Sequence, residues 1–367
     1  MADKVKVGLI GCGKICDAYF KGSKPFKIMQ IVACADLIDE RAKAKAQQYE
    51  IPRACSVQEL LADPEIQIVI NLTIPAAHTE VNLAAIEAGK HVHVEKPLAL
   101  NMDEAKRVLA AAKKRNVRVG CAPDTFFGGG AQTVRKLIDE GAIGVPVAAT
   151  AFWLAHGHES WHPAPEFYYK PGGGPMLDMG PYYLTALVNQ LGPVKRVSGS
   201  ARTSFATRTI TSQPLNGTVI DVEVPTHYSA TLDFASGAIG TVVTSFDVWS
   251  HHLPIIEIYG SEGSITVPHP NGFGGACQIR PLGSDKWEDI QVLHSTEVSR
   301  GVGVADMAYG IVYNRPHRAS GELACHMLEI MLGVEQASRT GEYVELTTTC
   351  QRPAMLPPGL PADQLDE

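Results

Sequence analysis

Three side chains in this 367-residue chain have the types and spacing needed to move a proton. Lys96 ends the apolar run His91-Val-His93-Val, with Glu95 before it and Pro97 after it. A lysine at a strand end, partly desolvated and beside a positive ring, is expected to have a depressed pKa and to work near neutrality. Asp178 and Tyr182 follow the Gly172-Gly173-Gly174 triplet, in what reads as a helix start. Four apart, they share one helical face, so a carboxylate and a phenol can both reach a bound hydroxyl or carbonyl. Asp124 and Thr125 follow a strand end, and Trp161 and His162 precede the glycine triplet, where they can lie over a substrate. His156, His158 and His162 lack the i, i+4 pair with a third ligand that zinc requires. They read as loop or polyol-binding residues, and no metal is assigned.

A second group of residues suits a dinucleotide. Gly8-Leu-Ile-Gly11-Cys-Gly13-Lys14-Ile15-Cys16 follows the first apolar run and opens a helix. Gly11 permits the tight turn, and Gly13 lets the backbone approach a pyrophosphate at the helix N-terminus. The third fingerprint position holds Cys16, small enough for close helix–strand packing. Asp36, at the end of the next strand, is placed to take the ribose hydroxyls and repel a 2′-phosphate. No Arg follows it immediately, so NAD is expected rather than NADP. Loops at the carboxyl ends of parallel strands line the ligand crevice. This adds Thr73, Ile74, Pro75 and His78 as cofactor contacts, with Glu95 and Lys96 beside the nicotinamide.

The elements that must hold these residues alternate in the first third. Strands are expected at Val5–Ile10, Ile28–Ala35, Ile66–Leu72, His91–Glu95 and Val117–Cys121. Helices are expected at Lys14–Phe20, Asp39–Gln48, Ala77–Ala88 and Met102–Arg115. Alternation with near-continuous apolar strands predicts a parallel sheet covered on both faces. Beyond residue 122 the pattern becomes a helix over Phe126–Glu140, longer alternating strands with hairpin turns, and two late helices. Only six of the 34 glycines lie in residues 1–122, which also separates a regular first part from a loop-rich remainder. The expected domains are 1–122 for the dinucleotide, 123–350 for substrate and oligomerisation, and a Pro-rich surface tail over 351–367.

Composition excludes other classes. The net charge of −7, with no basic stripe, argues against nucleic acid as a partner. No window approaches the roughly 18 apolar residues of a membrane span. Eight cysteines without a CxxC pair read as reduced thiols of a cytoplasmic protein.

The Gly-x-Gly turn, Glu95-Lys96-Pro97 and the triple-glycine/Asp178/Tyr182 segment together resemble the glucose–fructose oxidoreductase, inositol dehydrogenase and MocA family. The resemblance extends over nearly the whole chain, including Arg315–Glu322. It implies an α/β plus α+β fold: an N-terminal Rossmann domain and a C-terminal domain built on a large, open, mostly antiparallel sheet. It implies self-association through that sheet, as a homodimer or homotetramer. It implies that Lys96 contacts the substrate oxygen near the nicotinamide and that Asp178 binds substrate. The position of Tyr182 holds a histidine acid/base in inositol-dehydrogenase-like members and a tyrosine in members similar to glucose–fructose oxidoreductase. The acid/base is therefore Tyr182 or Lys96. The expected activity is an NAD-dependent dehydrogenase of a sugar or polyol. The alternatives are an NAD-using glycoside hydrolase and a dinucleotide-binding regulator without chemistry.

Overall fold

The computed structural model describes residues 4–367. Its first part alternates β1 (Val5–Ile10), α1 (Cys16–Ser23), β2 (Met29–Ala35), α2 (Asp39–Tyr49), β3 (Arg53–Ala54), α3 (Val57–Ala62), β4 (Ile66–Asn71), α4 (Pro75–Glu87), β5 (His91–Val94), α5 (Met102–Arg115) and β6 (Val119–Cys121). All six strands are parallel, in the order β3-β2-β1-β4-β5-β6. Val7, Leu9, Ile68, Val69, Ile70, Val92 and Val94 are fully buried, as strands covered on both faces require. The chain reverses its winding between β1 and β4, so a crevice opens at their carboxyl ends. Two-residue β3 and six-residue α3 are additions to the expected elements, each too short for hydrophobic periodicity to reveal.

The second part runs through α6 (Gly129–Asp139), β7 (Pro146–Leu154), α7 (Gly174–Leu191), β8 (Val194–Arg202), β9 (Thr207–Thr209), β10 (Val219–Asp221), β11 (His227–Phe234), β12 (Ile239–Ser245), β13 (Ile256–Gly260), β14 (Gly263–Val267), β15 (Gln278–Pro281), β16 (Glu288–Asp289), α8 (Val302–Val312), α9 (Gly321–Thr340) and β17 (Val344–Glu345). Nine of these strands form one sheet, ordered β16-β15-β14-β13-β7-β12-β11-β8-β17. Only the β7–β12 pair is parallel in it. β9 and β10 pair separately. The sheet is thus mixed and mostly antiparallel, with α7 and α9 packed on it. α9 also reaches back to α5 and β6, and Gly120 bridges to Ser320, which joins the two parts.

Two expectations change. The helix expected over Phe126–Glu140 starts later: Thr125–Phe127 form a 3-10 turn, and the glycine triplet itself enters α6. Gly128 has no room for a side chain because the Phe273 backbone occupies that space, and Gly130 abuts the Gly275 carbonyl. The Gly128–Gly130 and Gly272–Gly275 clusters therefore pack backbone to backbone. The tail is not a surface strap. Leu356 and Leu365 are buried, Arg135 donates to the Pro353 carbonyl, and Arg318 bonds both Asp306 and Asp366. Proline density foretold irregular backbone there but not the polar anchors that bury it.

Candidate active site

The sheet topology brings both groups of predicted residues to one edge. β1, β4 and β5 are neighbours and parallel, so the loops after Ile10, Asn71 and Val94 open side by side.

At the dinucleotide end, Gly11 has φ +100°, and a Cβ there would lie 2.6 Å from the Leu72 carbonyl oxygen. Only glycine fits that turn. Gly13 is exposed, and a Cβ on it would meet nothing within 4 Å. The protein's own packing does not demand glycine at 13, so the open space above it suits an approaching phosphate. Lys14 is exposed beside it, and Ile15 sits at the head of α1. Asp36 accepts from the Cys12 N–H at 2.7 Å and the Ile38 N–H at 2.9 Å, using one lone pair on each oxygen. It stays half-buried, with acceptor capacity left for a diol. Thr73 is half-buried, while Ile74 and Pro75 are exposed along the crevice. Asn71 holds this loop by accepting from the Thr73 hydroxyl at 2.7 Å. These residues fit a bound dinucleotide.

Gly11 and Gly13 separate two roles that the sequence motif joins. Gly11→Ala is expected to lose about 1–2 kcal/mol of stability from the left-handed backbone alone, with the Leu72 contact adding to it. Gly13→Ala is expected to keep parental stability within about 0.5 kcal/mol, yet to bind NADH at least about tenfold more weakly. Urea unfolding and NADH fluorescence titration check both. A Gly13→Ala protein with parental NADH affinity would rule out phosphate approach at that position.

At the chemical end, Lys96 Nζ donates to Asp178 Oδ1 at 2.9 Å and to the Asp178 carbonyl at 2.7 Å. The same Nζ lies 5.4 Å from the centre of the Tyr182 ring. The one-face reading of Asp178 and Tyr182 therefore holds on α7. Asp178 Oδ2 meets His158 Nε2 at 3.1 Å, so its carboxylate is gripped from both sides. Burial would raise the Asp178 pKa, but the Lys96 charge and the bonds from His158 and Lys96 outweigh it and hold the carboxyl well below its usual range.

The protein's own groups around Lys96 act against the depression expected beside a nicotinamide ring. Burial pushes Lys96 down, but the Asp178 charge, the Tyr182 oxygen and the Asp178 hydrogen bond push it up further. Its pKa is raised by the protein's own groups. Tyr182 has a raised pKa from burial, opposed by the Lys96 charge, reinforced by Glu95 and opposed again by Arg300.

Four more assignments change. His78 is fully buried, and its ring nitrogens face the Pro97 carbonyl at 2.7 Å and the Thr73 carbonyl at 3.0 Å. It clamps the two crevice loops together and has no surface open to the crevice. Asp124 is fully buried and accepts from the Gly301 and Gly303 N–H groups at 3.0 Å each, capping α8 with no surface open to substrate. Glu95 is buried beneath the crevice, bonded by the Tyr19 hydroxyl at 2.9 Å and the Lys96 N–H at 3.0 Å. His162 turns back on its own loop, accepting from the Ala164 N–H, and half-exposed Trp161 packs edge-on to it and to His158. His156 stacks on Trp249.

Arg300 was missed, and His158 was read only as a loop or polyol-binding residue. His158 lies in a loop with no periodicity to place it. Arg300 donates to the Tyr182 hydroxyl at 3.4 Å from a segment 118 residues further along the chain.

Residues 5–122 match the oxidoreductase family model of the NAD-binding Rossmann fold, and residues 131–266 match the GFO/IDH/MocA C-terminal domain. The chain belongs to the GFO/IDH/MocA oxidoreductases. The 1,5-anhydro-D-fructose reductase of Ensifer adhaerens is 34% identical over 177 residues, 47% of this chain and 52% of that protein. The match thus spans about half of that relative. The myo-inositol 2-dehydrogenase of Thermotoga maritima is 25% identical over 263 residues, 71% of this chain and 74% of that one. An NAD-binding oxidoreductase structure from Klebsiella pneumoniae superposes with a TM-score of 0.83 at 22% identity, over 94% of this chain and 100% of that one. It shares the fold.

Proposed function

We propose that the chain is an NAD-dependent dehydrogenase that oxidises a CH–OH group of a sugar or polyol, with Tyr182 as acid/base. The observation that carries this is the placement of Lys96 Nζ against both Asp178 Oδ1 and the Tyr182 ring, beside the Gly11–Gly13 turn. Gly11, Gly13, Asp36, Thr73, Ile74 and Pro75 would hold the dinucleotide, and Asp36 with no cation after it favours NAD over NADP. Bound there, NAD supplies the hydride acceptor.

The chain's own residues do the rest. Lys96, a fixed cation, donates to the substrate oxygen and favours its negative charge as the proton leaves. Tyr182, acting as the tyrosinate, takes that proton and becomes the neutral phenol. Asp178 fixes the Lys96 ammonium, and His158 fixes Asp178 in turn, so the donor is preorganised rather than recruited. Carbohydrate as substrate class is supported by the relatives' names and by the hydroxyl-binding character of Asp178 and His158. Self-association through the open sheet face belongs to the same proposal, because Phe152, Val243 and Ile239 lie on adjacent strands there.

The test is a panel of sugars and polyols with NAD and with NADP, reading reduced-nicotinamide absorbance. At least one member is expected to reduce NAD, faster than NADP. Tyr182→Phe is expected to lower kcat by about 10²–10⁴. Cleavage of aryl glycosides without net NADH would favour the hydrolase instead. Dinucleotide binding without turnover on any panel member would favour a regulator.

A further inference from the structure

The residues that lead into α8 run past α1, where Gly22 leaves the space that the Arg300 carbonyl fills. Asp124, fully buried, receives the Gly301 and Gly303 N–H groups on one oxygen. The backbone carrying Arg300 is therefore held from two sides.

Its side chain extends to Tyr182. Nη2 lies 3.4 Å from the phenol oxygen and 2.7 Å from Asn271 Oδ1, and the guanidinium carbon lies 5.6 Å from the ring centre. Nη1 is buried with no partner. Among the described residues no carboxylate comes within 4 Å of this half-buried guanidinium, whereas Arg135, Arg208 and Arg318 each have one. The charged and titratable groups facing Tyr182 are Lys96 and Glu95 after β5, Arg300 before α8, Asp178 on α7 itself, and Tyr168 from the Glu166–Tyr169 turn. Asp178 is engaged by Lys96 and His158, and Glu95 by Tyr19 and the Lys96 N–H. Arg300 is thus a half-buried cation with no carboxylate in ion-pair range, and its Nη2 is shared between the Asn271 oxygen and the phenol.

We infer that Arg300 is a positioning residue that stabilises the tyrosinate form of Tyr182, with Asp124 holding the turn that presents it. The inference rests on Tyr182 as the acid/base. In the forward reaction the substrate O–H bond breaks, the proton joins the Tyr182 oxygen, and Arg300 exchanges none. An enclosed guanidinium nitrogen without a partner is costly, and a phenolate beside the same group offsets that cost. A neutral side chain in its place leaves the phenolate to Lys96 alone.

The experiment compares the parent protein with Arg300→Gln, Arg300→Lys, Tyr182→Phe and the Arg300→Gln/Tyr182→Phe pair, each checked for folding by circular dichroism. The tyrosinate ultraviolet band is titrated in the resting protein, without cofactor or substrate. The parent-minus-Tyr182→Phe difference isolates one phenol. Its transition is expected to move up by about one pH unit in Arg300→Gln, a tenfold change in ionisation, and to return most of the way in Arg300→Lys. With a substrate from the panel, kcat near neutrality is expected to fall about tenfold with KM little changed, and the pH limb of kcat/KM to move with the phenol. An unmoved Tyr182 transition in Arg300→Gln overturns the inference. So does a parent and variant that both reach the alkaline limit without a transition, or the same shift persisting when Tyr182 is phenylalanine. Because the titration needs no substrate, failure of the dehydrogenase reading leaves it standing as a separate result.

Discussion

Lys96→Met is expected to lower kcat by about a thousandfold and also to destabilise the resting protein by about 3 kcal/mol. The two losses have different origins. Turnover falls because the charged donor at the substrate oxygen is gone. Stability falls because Asp178, with only 15% of its side chain exposed, keeps a buried carboxylate whose cationic partner has been removed. The Lys96 side chain is itself 18% exposed, so the pair is well beyond the surface regime in which ion pairs count for little. Asp178→Asn in the Lys96→Met background removes the stranded charge. The double variant is therefore expected to regain most of the stability in urea unfolding and none of the turnover. A single Lys96→Met variant as stable as the parent would mean that Asp178 does not depend on Lys96, and the preorganised donor would have to be abandoned.

That coupling explains which parts of the site could be read from the chain. Parallel strands order their loops along one sheet edge, so Gly11, Asp36, Thr73 and Lys96 were legible as strand-end residues without coordinates. Helical spacing did the same for Asp178 and Tyr182. A strand-end position does not state accessibility, however. Asp124 and His78 occupy such positions and are fully buried, one capping α8 and the other tying two loops together. The upward push on Lys96 from the protein's own groups was hidden for a related reason. It depends on the distance from Asp178, 82 residues later, which no local pattern contains. Arg300 and His158 are the extreme case: loop residues with no period, whose meaning comes entirely from tertiary packing.

Stability is expected to decline steeply as the pH falls from about 6.5 toward 5, with His93 and His326 as leading causes. Burial depresses both, His93 to about 3 and His326 to about 4. His93 on β5 is fully enclosed between the parallel sheet and α8, with neither ring nitrogen partnered, so a proton there would be charged and unsolvated. His326 on α9 accepts the Val194 N–H on Nε2 at 3.1 Å and meets the Thr348 hydroxyl on Nδ1 at 3.0 Å. Protonating Nε2 would destroy the bond that ties β8 to α9. Half-buried His91, pushed down to about 4 and accepting the Arg118 N–H at 2.8 Å, acts in the same direction. The sign follows from proton counting. Between the folded and unfolded pKa values the unfolded chain binds protons that the folded one refuses, so the stability of the neutral rings is full above about pH 6.5 and is lost below it. At pH 5 each of the two fully buried rings accounts for about 2 kcal/mol, against a total stability of about 5–15 kcal/mol. Urea midpoints at several pH values measure the slope, and His93→Gln with His326→Gln is expected to flatten it between pH 6.5 and 5 even where absolute stability drops. An unchanged slope in that double variant would place the acid sensitivity in other groups. The two rings sit at different sheets, one between the parallel sheet and α8 and one against the mixed sheet. Acid therefore loosens both layers together, and dinucleotide binding and α7 geometry are expected to fail over the same pH interval.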